Sequence, residues 1–364
     1  MKPSISLGLA AVTTLLAVAI SGCAFEDADP RPPEGPIARR AFSVVVEGCV
    51  VVPSMRATLA APETRAVLGE VILRCPRLDA TASVSFPGAD AKAIGALVTD
   101  LHGLGYKVTL AIGLVDDGTP AATSTLEAFR ARGTWTVAAA TAAWGAMVGA
   151  DDLDLALPPL RDTDGPALEG LVSALEGARA AAGSPRRVGM FVPPTSMVPS
   201  DIPGGDAYDL RSLSPKVRIF RAMTLDYSCC GAPYGPTTEP GWTVDVMRFF
   251  RGRTSAPMDV AYPLYGIDFG PSGERAVGSV EARKLAETHG SVIARGPTGA
   301  PHFSYTQSGS VHDVWFDDAV STTWALRAWT PKVLPADVGV VFYGLGAEDP
   351  ELFRAVAGAL EHAP

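Results

Sequence analysis

The chain has 364 residues, a formal net charge of −9 and 47% hydrophobic residues. That length suits one large α/β domain, since single-domain barrels commonly reach this size and no second Pro/Gly/Ser-rich linker divides the chain. The acidic balance argues against a nucleic-acid partner, because binding phosphates needs clustered Lys and Arg.

Lys2 is followed by an apolar-to-small run from Ile5 to Ile20 and then Ser21-Gly22-Cys23. The run is short for a bilayer-spanning helix, and small residues before a Cys resemble the cleavage site of a bacterial lipoprotein signal peptide. The expectation is a signal peptide over residues 1–22 with Cys23 lipidated, so that the membrane is a partner through the N-terminus and the address is the cell envelope. A plain signal peptide or a retained anchor is the alternative. Ala24, in place of an Asp, points toward an outer membrane. Residues 23–40, rich in Pro and charge, read as a semi-extended tether.

Downstream, β-rich runs alternate with helical spacings, the pattern of βα units around a parallel sheet. Eight strands are expected, over residues 42–52, 80–86, 107–114, 153–157, 187–192, 217–227, 258–265 and 338–345. Amphipathic helices are expected over 92–104, 126–149, 166–182, 244–251, 318–329 and 350–360. Eight units without a Gly-rich phosphate turn favour a closed (β/α)8 TIM barrel from residue 41 to 364 over an open doubly wound sheet. The connection after the seventh strand is too long for a bare loop. A helix over 279–289 and extended pieces at 291–295 and 301–306 predict a small α+β insertion at about 267–313, one wall of a cleft at the barrel mouth.

Besides Cys23 there are Cys49, Cys75, Cys229 and Cys230, enough for two disulfides in an oxidising compartment. Adjacent cysteines pair with each other only under strain, so pairing of Cys229 and Cys230 with Cys49 and Cys75 is expected, although sequence does not fix it. The scattered histidines and the lack of any CxxC pair give no metal site. No phosphate-binding loop appears either, so no cofactor is expected.

Five segments, in order, resemble glycoside hydrolase family 18, the chitinases and their spore-coat and peptidoglycan-associated relatives. They are Tyr106–Gly113, Met223-Thr-Leu-Asp-Tyr227, Tyr262-Pro-Leu-Tyr-Gly266, Val314-Trp-Phe-Asp-Asp-Ala-Val-Ser321, and Val340–Gly346 followed by Asp349-Pro-Glu351. The resemblance runs from about Ala41 to Leu360. It implies a barrel whose fourth strand carries D-x-x-D-x-D-x-E. Here that strand reads Asp151-Asp-Leu-Asp154-Leu-Ala156-Leu-Pro158. Asp151 and Asp154 match the first two acids, whereas Ala156 and Pro158 stand where the third Asp and the catalytic Glu belong. Side chains two apart on a strand share a face, so Asp154, Ala156 and Pro158 should point into the barrel and climb toward its mouth. In the family's substrate-assisted mechanism the Glu protonates the leaving oxygen and the preceding Asp orients the sugar's acetamide. A methyl group and a pyrrolidine do neither, and a lost general acid forfeits about 10²- to 10⁴-fold in rate.

The resemblance implies that Asp154, Asp226, Tyr227, Tyr265 and Tyr343 contact a sugar, with Tyr343 in place of a Trp that floors the family's site. For Asp151 and Asp154 the competing reading is hydrogen bonding inside the barrel, and for Asp226 it is a core carboxylate bonded to Asp154 or a tyrosine. Trp242, read as a loop aromatic after the sixth strand, is a further candidate contact. Glu47, Asp116, Asp117, Glu239, Asp268 and Glu348 lie near strand ends or mouth loops and are candidate replacement acids. Three functions follow as expectations: an envelope-tethered, catalytically degenerate protein binding an N-acetylglucosamine-containing glycan, chitin-like or peptidoglycan-like; an atypical active hydrolase using a different carboxylate; or an interaction scaffold.

Overall fold

In Phe42-Ser-Val-Val-Val-Glu47 five buried residues precede an exposed one. A parallel strand covered on both faces reads this way. The computed structural model describes residue 33 and residues 35–116, 118–184, 186–195, 204–228 and 234–361. The expected signal segment over 1–22, Cys23, Asp117, Cys229 and Cys230 lie outside the described residues.

Eight parallel strands form the sheet: β1 (Phe42–Glu47), β2 (Glu70–Arg74), β3 (Lys107–Leu114), β4 (Asp152–Leu155), β5 (Val188–Val192), β6 (Val217–Ala222), β7 (Met258–Pro263) and β8 (Gly339–Tyr343). Each pairs with the next, and β8 pairs with β1 through Phe42↔Val340 to Val45↔Tyr343, which closes the ring. This is a (β/α)8 barrel. Outward-facing Val44, Leu110, Leu153 and Val340 belong to the large core under the helices, whereas Val45, Ile72, Ala111, Ala156 and Val341 form a separate cluster inside the ring.

Sequence and structure part at the second strand. The expected run over 80–86 contributes only Val84–Ser85, antiparallel to Arg77–Leu78, and the barrel uses Glu70-Val-Ile-Leu-Arg74. The charged ends of that short run have interior and mouth partners, described below, which a pattern of apolar residues does not show. The single helix expected over 126–149 is two, Pro120–Ala131 and Thr134–Gly145, because Arg132 and Gly133 both take positive φ and break the hydrogen-bond ladder. The end of the expected tether is also part of the barrel. Ile37 is fully buried, and the Arg40 guanidinium donates to the carbonyls of Trp329, Leu334 and Val338.

Between β7 and the helix Ala319–Ala328 stands a five-stranded antiparallel sheet with the helix Ser279–His289 packed on one face over Val277, Phe303 and Val314. Two arginines clamp this lobe to the barrel: Arg283 donates to Asp349 at 2.6 Å and Arg295 to Asp318 at 2.7 Å. Asp318 also caps the helix that follows, accepting from Val320 and Ser321.

Cys49 and Cys75 are joined to each other, which corrects the expected pairing of each with Cys229 or Cys230. The register explains it. Glu47 lies opposite Arg74 on adjacent parallel strands, so the residues just beyond both ends meet, with Cα atoms 4.6 Å apart.

Candidate functional site

The barrel interior has three levels. At the floor, Arg221 of β6 is completely buried and donates to Asp154 (2.7 Å), to Asp259 (2.6 Å) and to both oxygens of Glu70 (2.9 and 3.0 Å). Arg218 adds a second bond to Asp154 at 2.9 Å, and Lys107 pairs with Glu70 and Asp152. Burial alone would raise the Glu70 carboxyl, but Arg221, Lys107, the Thr109 hydroxyl and Arg218 outweigh it and bring it down to about 2. Asp154 is therefore an interior counter-ion with no exposure to a ligand at the mouth. Asp151 lies outside the ring, accepting from the backbone N–H of Val108 and bonded to His102.

The middle level is apolar. Ala156 is buried there among Val45, Ile72, Ala111, Phe191 and Leu225, so the motif position nearest the floor network's own carboxylates carries only a methyl group. Pro158 is buried just beyond the end of β4.

At the mouth, β1, β2 and β8 bring Glu47, Arg74 and Tyr343 together: Arg74 Nη1 lies 3.1 Å from each Glu47 oxygen and donates to the Tyr343 hydroxyl at 2.9 Å. Beside them the Tyr265 hydroxyl donates to Asp226 Oδ1 at 2.7 Å. Burial raises the Asp226 carboxyl above its usual range against the opposing effect of that hydrogen bond, with Glu274 adding to the rise. Asp226 holds a left-handed backbone at φ 58°, a conformation disfavoured for a non-glycine residue. Both tyrosines are pushed upward, first by burial and then by the neighbouring carboxylates.

Two aromatic pairs extend the mouth. Tyr227, 44% exposed, packs against Trp242 with ring centroids 5.2 Å apart, and Tyr234, 58% exposed, stacks on Phe269 of the lobe at 4.7 Å. Trp242 belongs to the first turn of the helix Pro240–Arg251 instead of the loop expected for it.

The candidate replacement acids separate. Glu47 faces the mouth and Asp116 is exposed beyond β3. Glu239 is consumed as the cap of the helix Pro240–Arg251, Glu348 bonds Gly346 N–H and Thr58, and Asp268 is buried on the helix side of the lobe sheet against Tyr305, His312 and Arg275. Arg74, Arg77 and Tyr234 were not singled out from sequence. Arg74 and Arg77 flank the Cys75 end of the overlooked strand, and a charged residue closing a short apolar run was the available signal.

Solved structures share this architecture. A chitinase from Chromobacterium violaceum superimposes with a TM-score of 0.72 at 20% identity, over 89% of this chain and 99% of its own. The spore cortex-lytic enzyme SleL of Bacillus cereus gives 0.71 at 19% identity, over 90% and 76%. A chitinase-like agglutinin from Robinia pseudoacacia gives 0.63 at 13% identity, over 87% and 99%. The chain has the fold of the family 18 chitinases. No family model and no curated protein matches its sequence.

On this chitinase-like barrel the resembling segments fall at the strand ends where ligands of such barrels bind. Met223–Tyr227 follows β6, Tyr262–Gly266 joins β7 to the lobe, and Tyr343 ends β8. Asp317, from the segment before the helix Ala319–Ala328, is fully enclosed and accepts from Tyr262, Thr237 and Ser321; burial raises its carboxyl to about 6.

Proposed function

We propose that this protein is a glycan-binding, chitinase-like barrel that lacks the hydrolytic chemistry of its fold relatives and is held at the bacterial cell envelope by a lipidated Cys23. The observation that carries the reading is the fate of the fourth strand. Its inward-facing motif acid, Asp154, is saturated by Arg218 and Arg221 at the floor, and the two inward positions above it are a buried Ala156 and a buried Pro158. No group on that strand can protonate a leaving oxygen or orient an acetamide. What remains at the mouth suits binding: the Tyr227/Trp242 pair and Tyr234 offer aromatic faces, and Glu47, Arg74, Asp226 and Tyr265 supply hydrogen bonds. The agglutinin among the fold relatives supports a binding role on such a barrel.

The purified protein is expected to bind an N-acetylglucosamine-containing oligosaccharide without cleaving it, and Trp242→Ala to weaken that binding. Absence of binding across chitin-like and peptidoglycan-like glycans would leave the scaffold role instead. A second reading, an atypical hydrolase, is favoured by one feature: Asp226 is a half-buried carboxyl with a raised proton affinity. Turnover that disappears in Asp226→Asn would establish it.

A further inference from the structure

Two guanidinium groups reach the barrel mouth and one close carboxylate answers them. Arg74 is paired with Glu47. Arg77 lies on the short strand Arg77–Leu78, which runs parallel to the end of β3 with Arg77 opposite Gly113. Gly113 follows Thr109 and Ala111 on the inward side of β3, and its missing side chain leaves the space that Arg77 fills. A Cβ built there would lie 3.5 Å from Arg77 Nη1, 3.6 Å from its Cδ and 2.9 Å from the carbonyl oxygen of Ala156. The Arg77 side chain thus covers the interior edge of the mouth, beside Ala156 at the end of β4.

Its bonds are few. Nη1 donates to the carbonyls of Pro76 (3.1 Å), Cys75 (3.4 Å) and Arg74 (3.5 Å), and among the described residues no carboxylate lies within ion-pair distance and Nε and Nη2 have no partner. The side chain is part-buried. Burial first, and the neighbouring Arg74 second, lower its pKa. Glu47, Tyr343 and Asp116 oppose that shift from a distance without overcoming it, and a part-buried cation next to a second cation, with no carboxylate in contact, gains from an incoming anion.

Resting on the glycan-binding reading, we infer that the mouth selects a glycan bearing a carboxylate, which Arg77 holds with Arg74 beside it. The planar guanidinium has two unused donor nitrogens, and a carboxylate can accept from both at once. Positions 156 and 158, which would carry negative charge in the family pattern, are neutral, and the acids of β4, Asp152 and Asp154, are held by Lys107, Arg218 and Arg221 at the floor, so none faces such a ligand. The carboxylate could belong to a uronic acid ring or to a lactyl ether on an amino sugar.

The test is calorimetric affinity of the purified protein for an oligogalacturonide and for the N-acetylglucosamine–N-acetylmuramic acid disaccharide. Each is compared with its carboxyl-reduced alcohol, and chitotetraose serves as a neutral reference. At least one acid should bind about 10- to 100-fold more tightly than its alcohol, and which acid does so identifies the source. The preference should shrink as salt rises and vanish in Arg77→Gln. Equal affinity for acid and alcohol would overturn the inference and leave glycan binding standing; no binding to any of the five would overturn both. The acid-to-alcohol comparison on the unaltered protein decides the matter even if Arg77→Gln fails to fold.

Discussion

Arg221 Nε donates to Asp154 Oδ2 at 2.7 Å with both side chains fully buried. Removing one partner of a buried ion pair strands the other, at about 3–5 kcal/mol. Because Glu70 and Asp259 still hold Arg221, Asp154→Ala is expected near the low end, about 3 kcal/mol. A shift of the guanidinium chloride midpoint would report it, with glycan affinity of the folded variant unchanged. A sugar-contacting Asp154 would give the opposite pair of results.

Rebuilding the family motif by Ala156→Asp with Pro158→Glu should not restore hydrolysis. The new Asp would enter the level of Val45, Ile72 and Ala111, where an unpaired carboxylate costs several kcal/mol or takes up a proton. The expected outcome is a lower melting temperature and no release of reducing sugar from chitooligosaccharides. Measurable release would mean that the rest of the subsite is intact.

Asp317 predicts a pH dependence. Burial pushes its carboxyl up to about 6, above the usual Asp value of about 4, so the folded state holds the proton more tightly. The stabilisation is full below the unfolded value and fades as pH rises from about 4 through about 6, by about 3 kcal/mol in all. Glu70 acts in the other direction, its contribution fading as pH falls below about 4.5 toward about 2. Denaturation of Asp317→Asn across pH 4 to 7 should lack the loss on the alkaline side that the unaltered protein shows; parallel curves would refute the assignment.

The Cys49–Cys75 bridge closes a loop with a sequence separation of 26, for which chain entropy gives about 3–4 kcal/mol. Replacing both cysteines with Ser should lower stability by that order. It should also weaken ligand binding, since the bridge fixes the strand ends that carry Glu47 and Arg74. A thermal melt and a binding isotherm on the same sample would check both.

The barrel was legible because apolar runs such as Lys107–Leu114 and Met258–Pro263 are buried on both faces and stand out from their surroundings. The strand Glu70–Arg74 escaped because its ends are charged for reasons that exist only after closure: Glu70 meets Arg221, 151 residues away in sequence, and Arg74 meets Tyr343, 269 away. The lobe helix Ser279–His289 was readable to the residue because Gly278 and Gly290 bracket it and Gly290 takes the left-handed turn that ends it. That positions 156 and 158 carry Ala and Pro was visible in the residues themselves. The use of Asp154 as a counter-ion was not, because Arg218 and Arg221 sit on another strand and nothing in their spacing points to the interior. Mouth residues were found where a motif marked them, as at Asp226, Tyr265 and Tyr343, and missed at Arg77, which owes its position to an unmarked glycine across the sheet.

The burial of Ile37 and the three carbonyl contacts of Arg40 have a directional consequence. They pin the incoming chain to the end of the barrel where β1 begins, opposite Glu47, Arg74 and Tyr343. The described chain therefore enters the barrel at its base, and the mouth residues stand at the other end of the same strands.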